Sequence, residues 1–143
     1  MINKTQILHI EKTQQWYLID AKNHRVGRIA TEIANILRGK RQVSFHPSQS
    51  TANHVIIINA QEIKVSGNKS EQKLYYKHSG RPGSLKIERF ENLQQRLPHK
   101  IIENAVKGML PKGPLGRQIF KNLKVYAGEQ HPHTAQQPIN IEL

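Results

Sequence analysis

Val55-Ile56-Ile57-Ile58, bounded by His54 and Asn59, decides how this chain is built. Four apolar residues in a row, without the alternation of a half-exposed strand, suit a strand covered on both faces, and therefore a sheet with layers packed on either side. Working outward, Val26, Ile29, Ala30, Ile33, Ile36 and Leu37 fall on one helical stripe, with Arg28, Thr31, Glu32, Asn35 and Arg38 opposite and Gly39 as the stop. Trp16 to Ile19, ending at Asp20, has the aromatic and β-branched content of a short strand. Strand, amphipathic helix and buried strand in succession give an alternating α/β pattern.

Further along, Lys40 to Asn53 is polar, contains Pro47 and reads as a loop; Ile63 and Val65 suggest a short strand ending at Gly67. Residues 67–86 read as a long basic loop with a local strand pair near Leu74 to Tyr76. Helices are expected at 88–95, at 99–109 after Pro98, and at 115–122, with Val125 to Ala127 returning to the sheet. The domain plan is an extended N-terminal arm over 1–14, one α/β domain over 15–128 and an extended C-terminal arm over 129–143.

Val106 to Arg117 packs three glycines, two prolines and three cations into twelve positions. That is too much punctuation for a helix or strand interior, so it reads as a shaped loop between two amphipathic helices. No acidic residue lies between Asn104 and Gly128. A turn holding Gly113 and Gly116, flanked by Lys107, Lys112, Arg117, Lys121 and Lys124, would let amides and cations approach phosphates closely. A helix corner with a solvated basic face fits the same residues.

The run from Ala105 to Gly128, through Phe120, Lys121, Leu123, Lys124, Val125, Tyr126 and Ala127, resembles the signature region of bacterial-type large-subunit ribosomal protein thirteen. Trp16, Tyr17 and Asp20 ahead of Gly27, Arg28, Ala30 and Thr31 resemble that family's opening, and Leu37 to Lys40 the basic end of its first helix. Val65, Gly67, Asn68, Lys69, Tyr75, His78 to Arg81, Gly83 and finally Gln136, Gln137 and Pro138 continue the likeness, which covers roughly residues 14 to 138. Thr51-Ala52-Asn53-His54 departs from it, standing where the family commonly has a Thr-Gly-Asp-like approach to its second strand.

The resemblance implies a three-layer α/β/α fold around a small, mostly parallel, four-stranded sheet, with basic loops and extended arms. It also implies a structural role in the large ribosomal subunit, with large-subunit ribosomal RNA and neighbouring large-subunit proteins as partners, and a part in subunit assembly. Leu115 to Gln118, His131 to His133, Gln136 and Gln137 are similar to the cyanobacterial branch, and usage is rich in Ile, Lys and Asn. This points to a plastid ribosome; a bacterial cytoplasm is the alternative.

Composition argues independently for a polyanionic partner: 22 Lys and Arg against 10 Asp and Glu give a net charge of +12 over 143 residues. No apolar run approaches the roughly 20 residues that span a bilayer, so a membrane partner is not expected. The absence of cysteine excludes disulfides and thiolate zinc sites.

The cations are grouped. Arg38, Lys40 and Arg41 lie at a helix C-terminus, where they serve the helix dipole or a phosphate. Lys69, Lys73, Lys77 and Arg81 surround Tyr75, Tyr76 and His78, a mixture that suits RNA, its phosphates taking the charge and its bases the rings; a solvated strand face is the plainer alternative. Gly80 to Gly83 is a tight turn by default.

Enzyme chemistry finds no support. There is no nucleotide-binding glycine fingerprint, P-loop or nucleophile elbow, no carboxylate pair placed for acid-base work, and His131 and His133 lack the further ligands a metal needs. No catalytic residue, cofactor, metal or small-molecule substrate is expected. The alternative reading is a free-standing RNA- or nucleotide-binding factor, enzymatic or not.

Overall fold

The computed structural model describes residues 14–43 and 45–143. The expected arm over 1–14 lies almost wholly outside these. Two parallel strands, β1 (Trp16–Asp20) and β2 (His54–Ile58), form the centre of the sheet, joined through helix α1 (Val26–Arg38). β2 also pairs in parallel with β5 (Leu123–Val125), and β1 with β6 (Ile139–Asn140), giving the order β5-β2-β1-β6.

Register aligns Tyr17 with Val55 and Leu18 with Ile56, so side chains sort onto two faces by parity. Ile19, Val55, Ile57 and Leu123 enter one core with Ile29, Ile33 and Leu37 of α1. Ile101, Ile102 and Val106 complete it from α4 (Pro98–Met109), a helix that Pro98 opens at its first turn. α3 (Phe90–Arg96) adds Phe90 and Leu93, and α5 (Pro114–Phe120) adds Ile119. Crossovers of the kind β1-α1-β2 are right-handed, and the two successive moves toward β5 put α1 and α4 side by side on this face. Ile56, fully buried, has the opposite parity and shares the second face with Trp16 and His54, where His133 meets Trp16 from a C-terminal segment that includes a 3-10 turn at Thr134–Gln136. The protein is thus an α/β fold in three layers around a four-stranded parallel sheet.

α1 ends where expected. Gly39 adopts φ 73°, its N–H reaching the carbonyls of Asn35 and Ile36. A Cβ there would lie 2.1 Å from Thr51 Cγ2, so the position is closed to side chains on two grounds. Thr51 Oγ1 donates to Leu37 O at 2.7 Å and Asn53 Nδ2 to Ile36 O at 3.1 Å, satisfying the last carbonyls of the helix. The departure from the family pattern at 51–54 therefore has a structural use: Asn53 is a buried amide tying β2 to α1.

Several elements differ from the sequence reading. Ile63 to Val65 is not a strand: a 3-10 turn at Ala60–Glu62 precedes it, and only Lys64 bridges, to Arg25. Within 67–86 lie α2 (Lys69–Gln72) and strand β3 (Leu74–His78), which forms an antiparallel hairpin with β4 (Leu85–Arg89). The helix expected from 88 starts at Phe90, because residues 85–89 are committed to the hairpin and Phe90 N–H bonds Lys73 O. The last interior strand is Leu123–Val125 rather than 125–127, and the expected extended tail contributes β6.

Candidate nucleic-acid interface

The shaped loop is a corner between α4 and α5, and it forms a cleft of about 440 Å³. Lys107, Lys112, Arg117 and Lys121 line it with Leu110, Pro111 and Phe120. None of these cations has an acidic partner among the described residues. Gly116 is buried, and a Cβ there would lie 1.8 Å from Pro111 O, so the first turn of α5 presses directly on the loop backbone. Its contribution to this site is close packing. Gly113 is extended (φ −78°, ψ −175°), a conformation any residue adopts, and a Cβ there would meet nothing within 4 Å.

A second basic surface brings Lys69 and Lys73 together with Arg25 and Arg28, in a groove of about 570 Å³ between the start of α1, α2 and α4. Sequence reasoning passed over Arg25 and Arg28. Arg28 was visible on the polar side of the α1 stripe, but nothing local revealed that α2 faces it. Lys73 Nζ lies 5.4 Å from the centroid of Tyr75, whose hydroxyl is pushed above its usual range by burial.

The hairpin separates the residues expected to act together. Tyr76 and His78 share one face with Leu74, Leu85 and Ile87, and Lys77 points to the other with Tyr75, Lys86 and Glu88. Tyr76 is 63% exposed. Arg81 sits in the connecting turn, where Ser84 N–H bonds its carbonyl. Glu88 takes two hydrogen bonds from Arg96, at 3.0 and 2.6 Å, which hold its carboxyl below the usual range and anchor the hairpin to α3.

At the end of α1, Arg38 lies 6.0 Å from the Phe45 ring centroid, Arg41 pairs with Glu32 at 2.5 Å, and Lys40 is exposed. Part of that cluster's charge is thus neutralised internally.

Lys124 is not in the corner cleft. By strand parity it lies on the second sheet face with His54 and Ile56, because β5 turns it away from α5. There Trp16 stacks on His54 at 4.1 Å and 11°, Trp16 meets His133 at 5.3 Å, and Tyr126 Oη shares a 2.8 Å hydrogen bond with His133 Nε2. Burial first, then the charges of Lys124 and His133, lower the pKa of His54. His131 accepts the His133 N–H at Nδ1, and no group of three or more metal-ligating side chains occurs among the described residues.

Fold and surface together define a small, strongly cationic α/β protein whose clefts are lined by basic side chains. Among the described residues, no helix is long and apolar enough to cross a membrane. The family model described as Ribosomal protein L13 matches residues 14–132, and the chain belongs to that family. It is similar to the large ribosomal subunit protein uL13c of Porphyra purpurea, 58% identical over 137 residues and 96% of each chain. The uL13 of Synechococcus sp. (strain CC9311) is 55% identical over 143 residues, covering 99% of this chain and 95% of that one. Pyropia yezoensis uL13c is 58% identical over 137 residues, 96% of each chain. The chain is accordingly a large-subunit ribosomal protein and not an enzyme.

Proposed function

We propose that this protein binds large-subunit ribosomal RNA through its basic clefts, holds RNA segments together beside neighbouring ribosomal proteins, and supports subunit assembly in a plastid ribosome. The observation that carries the reading is the corner cleft, where four cations converge and no carboxylate among the described residues pairs with them. Cations placed in this way gain by displacing counterions from phosphates, and the fixed turn supplies register. Lys69 and Lys73 with Arg25 and Arg28 form a second contact; Arg38 and Lys40, and Lys77 and Arg81, extend the surface. The plastid assignment is supported by the two red-algal uL13c relatives, beside which the cyanobacterial ones favour a bacterial ribosome almost equally.

Binding to deproteinised large-subunit RNA should weaken roughly a thousandfold between about 50 and 200 mM salt if about six phosphates are contacted. Filter binding across that range tests it. A salt slope near zero would overturn the phosphate-driven reading.

A further inference from the structure

We infer that the corner cleft seats one unstacked nucleotide, its base against Phe120 and its phosphates among Lys107, Lys112, Arg117 and Lys121. This rests on the RNA-binding reading and deepens it. A volume of about 440 Å³ falls within the range of small-molecule sites, roughly 300 to 1,000 Å³, and exceeds what a lone phosphate requires. The composition is divided: cations stand around the cleft, whereas Leu110, Pro111 and Phe120 give it an apolar floor. Phosphate alone gains nothing from such a floor, and an apolar side chain gains nothing from the cations. A nucleotide presents both a flat apolar ring and an anion, and matches both parts.

Two larger clefts are composed differently. The groove at Arg25, Arg28, Lys69 and Lys73 is lined by no aromatic ring. The cleft between hairpin and α4 has Tyr75 and Tyr76 beside Lys77 and Lys86, but it also holds the carboxylate of Glu88, which takes Arg96 and would face a phosphate, whereas the corner cleft is lined by no acid. Rigidity adds to the case, since contact of Gly116 with the Pro111 carbonyl leaves the wall of the corner cleft little freedom to collapse.

Phe120→Leu keeps apolar packing toward the core and removes the flat face. We expect it to bind deproteinised large-subunit RNA about tenfold more weakly or worse, with the salt slope unchanged. Lys112→Gln should instead lower that slope by about one. Thermal unfolding checks the fold of both. Replacing Phe120 with the near-isosteric p-azidophenylalanine should, on illumination of assembled subunits, crosslink to a single nucleotide. Titration with free AMP and UMP, read by NMR at Leu110 and Phe120, distinguishes the source: saturable shifts without an RNA crosslink assign the seat to a free nucleotide, and the converse to the RNA chain. Scattered crosslinks or none, no shifts, and wild-type affinity in Phe120→Leu overturn the seat, while a steep salt slope leaves the broader RNA reading standing. Loss of all RNA binding by the unaltered protein overturns that reading itself.

Discussion

The two faces of the sheet are covered by different chemistry. Toward α1 and α4 the strands present Ile19, Val55 and Ile57 to Ile33, Leu37, Ile101 and Val106, a mostly aliphatic interior in which Asn53 is the buried polar side chain. On the other face, which Ile56 shares by strand parity, Trp16, His54, Tyr126 and His133 are joined to one another by ring contacts and a hydrogen bond. Aliphatic burial is non-directional and large per residue, whereas stacked rings and shared protons contribute less and depend on geometry and charge. The first face should therefore set global stability, and the second should set whether residues 126–138 stay seated.

The sharpest way to break this comparison is to truncate one residue on each face. Ile33→Ala removes a fully buried side chain from the aliphatic face and should cost about 2–5 kcal/mol in denaturant unfolding. Trp16→Ala removes the stack on His54, and should cost less, about 1–2 kcal/mol. Hydrogen exchange should then rise in residues 131–137 and remain slow in α1 and α4. Equal losses from the two variants would mean that the faces are energetically alike.

The smallest effect sharpens the contrast through pH. Because burial and neighbouring charge hold the His54 pKa down in the folded protein, the unfolded chain takes up the proton first. Stability is intact above the ordinary histidine range and declines as pH falls through the lowered value. Between about pH 7 and about pH 5 the denaturant midpoint should drop slightly, and His54→Gln should flatten that part of the profile. An identical slope in wild type and variant would place the acid sensitivity elsewhere.

The same contrast explains what the sequence revealed. The α1 stripe and the apolar run at 55–58 are local patterns, and the element types and double coverage followed from them. What packs on the second face was not local: His133, which meets Trp16, lies far along the chain from it in a segment without periodicity. Leu85 and Ile87 do alternate with Lys86 and Glu88, but the apolar side of that hairpin faces outward, so the core pattern that would have marked a strand was missing. For the candidate site, the acid-free cations around 106–121 were legible as a group, and the cleft between them was not. Neither the pairing of Arg41 with Glu32 nor the turning away of Lys124 could be read, since both depend on how elements pack.

The order β5-β2-β1-β6 also has a consequence for how the molecule is made. Leu18 waits 38 residues for Ile56 and 122 for Asn140, so one side of β1 stays an open strand edge through most of synthesis. Lengthening the loop roughly threefold adds only about 1 kcal/mol of closure entropy, so the late arrival is a matter of timing more than of final stability. A nascent chain halted before β6 emerges would hold a nearly complete aliphatic interior beside an unpaired edge, and that edge is where it would meet chaperones or other nascent chains.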